Sequence, residues 1–260
     1  MSRLLVPAEH GSWAFLGEPV VLGLAVALRA PGATPSGGMA ATLVAVATVA
    51  AFLARKPLRI SVTDRREGRR TARTARAGLA AAALALAGAA AVTGAALLAQ
   101  GPVLLAMGLA APIGAVALAF DLDRRARDAA AEVTAALALA GAAPAIALAA
   151  GLPRPAAFAL WAILAARAVP TVAYVRARLR LEKSHPVRTA EVLALHAAAA
   201  GGVALLAREG WVPWAAAVAM TVLALRAAVG LSPWRLRMTT MQLGLSEIAF
   251  GLLVVLATCV

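Results

Sequence analysis

Arg167, Pro170, Thr171, Tyr174 and Arg178 fall at i, i+3, i+4, i+7 and i+11, a spacing that puts all five on one face of a helix. Two guanidinium groups, a hydroxyl and a phenol in one stripe form a donor set suited to an anion. The plainer alternative pairs Arg167 with one buried glutamate and leaves Tyr174 in an interfacial aromatic belt. A second concentration lies between Arg55 and Arg76, which holds nine of the 25 basic residues. Arg69, Arg70 and Arg73 are the expected phosphate clamp there, because guanidinium forks match phosphate oxygens two at a time. With Arg66 and Arg76 they share a broad face if the stretch is helical, and the alternative is a solvated basic helix facing lipid headgroups. Asp64, among them, can orient an arginine or help to hold a metal ion. A third set is Asp121 and Asp123 beside Arg124, Arg125, Arg127 and Asp128. Local ion pairing competes there with a Mg²⁺ site built on Asp121 and Asp123, since Mg²⁺ often takes one or two carboxylates plus phosphate oxygens of a substrate.

Other polar groups interrupt apolar sequence. Glu18, Glu132, Arg167, Glu191, His196 and Glu247 lie in or near long apolar runs, where a charge costs about 2.5–3.5 kcal/mol at mid-bilayer and so faces a partner or an interior. His10 stands at the entrance of the first run and His185 between two later ones. His196 follows Glu191 by five residues, which does not put them on one helix face, and no HExxH, GxSxG or Walker A pattern occurs. Hydrolysis by an activated serine and nucleotide-driven pumping therefore have no support.

The elements that must position these groups are membrane helices. The 260 residues are 62% hydrophobic and 14% charged, with mean hydropathy +0.84, too apolar for a soluble chain of this length. Ala-, Leu-, Val- and Gly-rich runs without period-two alternation predict an all-α polytopic bundle of about nine spans, at 13–30, 38–54, 77–98, 102–120, 129–151, 155–175, 189–207, 211–230 and 238–257. Breakers separate them at Pro31-Gly32, Gly101-Pro102, Pro153-Arg154-Pro155 and Ser232-Pro233. The third and fourth spans nearly run together, so a count of eight stays open. No linker is long enough to divide the chain, which reads as a single integral membrane domain over 1–260.

With the N-terminus cytoplasmic, 21 basic residues fall inside and three (Arg29, Arg154, Arg208) outside, a strong positive-inside asymmetry. The start carries one arginine and no cleavage site, so the first run is expected to be retained as a helix of a multi-pass protein in a prokaryotic inner (plasma) membrane. The net charge of +13 then serves topology and anionic lipid rather than nucleic acid. The single cysteine, Cys259, excludes an intramolecular disulfide and a CxxC site. Oligomeric state is not readable.

The segments "VPAEHGSWAFLGEP", "RKPLRISVTDRREGRRTART", "AYVRARLRLEK" and "LGLSEIAFGLLVVLA" resemble the YwiC-like family of prokaryotic membrane proteins, a resemblance that implies no particular activity. The nine-span layout with prominent connections after spans two and six is similar to the UbiA superfamily of intramembrane prenyltransferases. That likeness implies a cytoplasmic cap holding an isoprenoid diphosphate through Mg²⁺ and two Asp-rich motifs. This sequence lacks both motifs, having Asp64 alone in the first connection and Glu182 in the second. The leading expectation is thus a UbiA-like protein that binds, or binds and transfers, an isoprenoid or lipid-linked phosphate at an arginine-rich pocket. A transporter of a small anion or metabolite, using the charges within the spans, and a non-catalytic membrane subunit are the alternatives.

Overall fold

The computed structural model describes residues 10–260, with side chains from Trp13 onward. Arg3, Glu9 and the side chain of His10 lie outside the described residues. Ten helices follow in order: α1 (His10–Leu28), α2 (Pro35–Arg66), α3 (Ala72–Leu98), α4 (Val103–Leu122), α5 (Ala129–Ala140), α6 (Ala142–Ala149), α7 (Arg154–Glu182), α8 (Thr189–Arg208), α9 (Trp214–Leu231) and α10 (Thr240–Cys259). Helices α5 and α6 are two halves of one apolar segment broken at Gly141, and eight segments are long and apolar enough to cross a bilayer, with Trp13–Leu28 a shorter apolar helix. The protein is an all-helical, multi-pass membrane protein, as the sequence predicts.

The largest departure from the sequence reading is at the basic stretch. Pro57 lies inside the helix without ending it, arginine and lysine are good helix formers, and α2 runs on through "RKPLRISVTDRR" to reach 32 residues. That is about 48 Å of helix against a hydrocarbon core of about 30 Å, so about a third of α2 projects beyond the apolar layer. The stretch 55–76 is not one helix, however. Gly68 adopts φ +71°, Arg69 N–H donates to the Asp64 carbonyl at 2.8 Å, and the chain turns away as at many helix C-termini. Thr71 then caps α3, its hydroxyl accepting from Thr74 N–H at 3.2 Å in a capping box. Arg69 and Arg70 therefore sit in the connection, while Arg66 ends one helix and Arg73 and Arg76 begin the next.

The chain divides into two compact units, Met1–Pro153 and Arg154–Val260. The division falls in the Pro-Arg-Pro breaker that the sequence marks before the sixth span. In the first unit α2 and α3 form a hairpin whose buried faces carry small residues, Ala40, Ala41, Ala47 and Ala50 on α2 and Ala77, Ala81, Ala91 and Ala95 on α3. Such faces let backbones approach closely where lipid gives no hydrophobic drive between helices. Helix α6 packs on α1, α2 and α4, and every residue from Ala142 to Ala149 is buried. The break at Gly141 has a local cause. Pro144 has no N–H for the Ala140 carbonyl and its ring clashes with that group.

In the second unit α7 packs against α8, α9 and α10. One cluster gathers Ile163, Val203, Met220, Leu223 and Val254; another gathers Tyr174, Val192, Ala227, Leu231 and Leu243. Arg167, Pro170 and Thr171 lie between the two along α7. Trp211 and Trp214 near the start of α9 and Trp234 beyond its end are exposed, the placement expected of interfacial aromatics. Leucine and valine side chains outside the two units' cores, such as Leu79, Leu97, Val218 and Leu225, are also exposed, as lipid-facing positions require.

Candidate functional site

The first constellation belongs to the first unit. A cleft of about 570 Å³ opens where the end of α2, the start of α3 and the α4–α5 connection meet. Arg59, Thr63 and Asp64 from α2, Arg73 from α3, Asp121 from α4, and the run Arg124 to Asp128 line it. Several of its charges are tied. Asp121 accepts from Arg55 Nε at 2.9 Å and Nη2 at 2.5 Å. Asp64 accepts from the Thr74 hydroxyl at 2.9 Å, Arg125 pairs with Asp128 at 2.8 Å, and Arg124 pairs with Glu67. Arg59 and Arg73 have no ion-pair partner among the described residues, so the cleft keeps two uncommitted guanidinium groups beside arginines whose charges are answered.

Of the expected phosphate clamp, Arg73 lines this cleft. Arg69 pairs with Glu67, and neither Arg69 nor Arg70 is among the lining residues. Asp121 and Asp123 do not fit a Mg²⁺ ion. They sit at i and i+2 around a helix end and so diverge. Each faces a guanidinium, Arg55 at 2.5 Å and Arg66 at 3.8 Å, whose charge opposes a cation. No group of three or more His, Cys, Asp or Glu close enough to hold an ion forms among the described residues.

The second constellation belongs to the second unit, and the α7 stripe is its spine. Arg167, Pro170, Thr171, Tyr174 and Arg178 are all buried, so the spacing read from the sequence does describe one inward face. Arg178, 1% exposed, donates from Nη2 to the Leu236 carbonyl at 2.6 Å and pairs with Glu182 at 3.1 Å. Arg167 donates to the Glu247 carbonyl at 2.9 Å. The carboxylate of the same glutamate meets a second arginine. Glu247 pairs with Arg226 of α9, with side chains 12% and 11% exposed. Arg226 lies 4.0 Å over the Tyr174 ring and 4.9 Å from that of Phe250, two cation–π contacts that hold a desolvated guanidinium in place. His196 is 1% exposed. Its Nδ1–H donates to the Val192 carbonyl at 2.9 Å, and its ring meets Tyr174 edge-on at 6.2 Å. Gly230 makes room for this arrangement, because a Cβ there would overlap the Tyr174 hydroxyl.

The remaining candidates lie apart from these two groups or at their margins. Glu191 is exposed at the start of α8 and pairs with Arg188 at 3.0 Å. Glu18 and Glu132 are half-buried on α1 and in the first turn of α5, and His185 is exposed between α7 and α8. The sequence includes Arg59 in the basic stretch 55–76 without singling it out, and places Arg226 among the charges that set topology. For Arg226 a signal existed: it lies five residues before the end of one helix, and Glu247 lies seven after the start of the next. Opposite charges at similar depth on consecutive antiparallel spans are natural partners. Arg178 and Arg226, now buried, leave the positive-inside count, which still stands at 19 to three.

Fold and polar architecture together define a polytopic helical membrane protein with charged groups held inside its bundle. The chain belongs to the YwiC-like family, whose description is "YwiC-like protein" and whose pattern matches residues 6–147. No curated protein matches the chain, and no solved structure does. The arginine-lined cleft lies wholly within the matched segment, while the buried cluster around Tyr174 lies outside it.

Proposed function

We propose that this YwiC-like membrane protein binds the phosphate of an isoprenoid or lipid-linked phosphate in the arginine-lined cleft of its first unit. The observation that carries the reading is the pair Arg59 and Arg73, cationic groups without an ion pair among the described residues, on a cleft of about 570 Å³, within the size range of ligand sites. Their neighbours Arg124 and Arg125 are held by Glu67 and Asp128, which sets the positive rim without competing for the two open forks. The extension of α2 beyond the apolar layer suits a headgroup at the interface with its chain in lipid. The proposed orientation, from the positive-inside count, turns this cleft to the cytoplasm of a prokaryotic inner membrane.

The UbiA likeness belongs to this proposal as a statement about layout, a nine-span protein with a phosphate-binding cap. Phosphate recognition here would rest on arginine. Transfer of the isoprenoid would be a further step, and no residue is assigned to it. The test is lipid retention by the purified protein in detergent, read by native mass spectrometry with farnesyl diphosphate or undecaprenyl phosphate added. Arg59→Gln with Arg73→Gln is expected to lower retention by about tenfold or more, since each charge-assisted contact is worth about 1.5–3 kcal/mol. Arg70→Gln, outside the lining, is expected to leave retention within about twofold, the size of effect usual for an exposed charge. Unchanged retention in the double variant sinks the reading. An anion transporter is the second reading, and the buried polar group of the second unit is the observation that favours it.

A further inference from the structure

Within the second unit, several buried polar atoms have no hydrogen-bond partner among the described residues. Arg226 spends Nη1 on Glu247, and its Nε and Nη2 are buried without a hydrogen bond. Those two nitrogens form one edge of the guanidinium, the fork that accepts two oxygens of a carboxylate or phosphate side by side. Arg178 likewise has Nε and Nη1 buried and unbonded. The Thr171 hydroxyl, the His196 Nε2 and the Glu247 Oε2 are also buried without a hydrogen bond. Arg178, His196 and Thr171 are at most 3% exposed. Buried polar groups are normally bonded, and each orphan costs about 1–3 kcal/mol. A membrane interior has no solvent to relieve that cost.

These groups surround one side chain. Tyr174 has Arg226 stacked at 4.0 Å, His196 at 6.2 Å, and Thr171 and Arg178 about one turn before and one turn after it on the buried face of α7. All four helices of the unit contribute: α7 through Thr171 and Arg178, α8 through His196, α9 through Arg226, α10 through Glu247. The chemistry of the orphans is specific. Four are guanidinium nitrogens, which only donate. His196 has its proton on Nδ1, fixed by the Val192 carbonyl, so in the neutral ring Nε2 accepts. Glu247 Oε2 also accepts, and Thr171 does either.

We infer that the second unit holds a binding site for a small oxyanion that still carries a proton, such as bicarbonate or dihydrogen phosphate. The oxygens of the anion take the Arg226 fork and Arg178, and its hydroxyl donates to His196 or Glu247. Chloride offers neither the paired oxygens nor the hydroxyl. The inference is independent of the phosphate cleft, whose residues all lie in the first unit.

The experiment uses the full chain in detergent with ³²P-labelled inorganic phosphate, bicarbonate or chloride competing at constant ionic strength. Wild type is expected to bind phosphate saturably, with bicarbonate competing and chloride at least about tenfold weaker. Arg226→Lys, which keeps charge and loses the fork, is expected to weaken phosphate by about tenfold or more, the cost of one charge-assisted bond. Thr171→Val, a smaller change, provides a second variant should Arg226→Lys not purify as a single species, and is expected to weaken binding about threefold to tenfold. Because the first-unit cleft can also take phosphate, wild type is compared with Arg59→Gln plus Arg73→Gln, which is expected to retain one saturable site, the one weakened by Arg226→Lys. Absence of saturable phosphate and bicarbonate binding overturns the inference. So does chloride competing as well as the oxyanions, binding that survives in both Arg226→Lys and Thr171→Val, or binding lost only in the Arg59/Arg73 variant.

Discussion

Replacing Glu247 by glutamine keeps the shape of the side chain and removes the countercharge of Arg226. Both groups are nearly nine-tenths buried, so solvent screens the pair little. Two unit charges about 4 Å apart attract by about 4 kcal/mol at an effective dielectric of about 20. Breaking a buried pair by deleting one partner costs about 3–5 kcal/mol, because a charge is left behind. The two rings beside Arg226 return part of this, at about 0.5–2 kcal/mol for a cation–π contact, but they do not neutralise it. The expected loss for Glu247→Gln is therefore about 3 kcal/mol. Arg226→Met should cost a similar amount, and Arg226→Met combined with Glu247→Met should cost less than the two single changes added together. Denaturant unfolding in mixed micelles can measure this through tryptophan emission, since Trp161, Trp211, Trp214 and Trp234 all lie in the second unit. A loss under about 1 kcal/mol for Glu247→Gln, the level of an exposed pair, would refute the reasoning. A double variant whose cost equals the sum of the singles would do so independently.

Three further outcomes follow from the same packing. Gly230→Ala should destabilise the second unit by about 1–3 kcal/mol, the range for overpacking, and Tyr174→Phe should recover part of that because the hydroxyl is the nearest atom to the new methyl; the unfolding midpoint reads both. Asp121→Asn should cost about 1–2 kcal/mol, since Arg55, about a third exposed, can turn to solvent once its carboxylate is gone; equal midpoints for variant and wild type would count against the contact. In a Cys259→Ser background, Arg70→Cys should react with a membrane-impermeant maleimide only in inside-out vesicles and Gly210→Cys only in right-side-out ones; the reverse pattern would invert the topology argued from charge.

Much of the bundle was legible because lipid demands long apolar helices and tolerates few charges within them. The nine apolar segments and their breakers could be read at that level, and so could the α7 stripe, whose period needs no partner to be seen. Helix ends were harder. Nothing local distinguishes an arginine that extends α2 past the bilayer from one in a loop, and only Gly68 with its positive φ fixes where the helix stops. The cleft is partly legible in the sequence, since Arg73 and Asp121 both line it, Asp121 as the ion-pair partner of Arg55 rather than as a ligand to Mg²⁺. Arg59 was not, because its role depends on which connection packs beside α2, a tertiary fact. The Arg226–Glu247 pair is less visible for a simpler reason: Arg226 lies within two turns of the end of α9, where an arginine also reads as interfacial charge.

Helix α6 is made of alanine but for Pro144, Ile146 and Leu148, and all of it is enclosed. Its neighbours rest on methyl groups and main chain, with little side-chain bulk to compress or rearrange. Almost any replacement along it is an enlargement, so the first unit has few small steps available for tuning its interior. Adjustment in the first unit is therefore cheaper at the ends of its helices, where most of its charged residues are, than along α6.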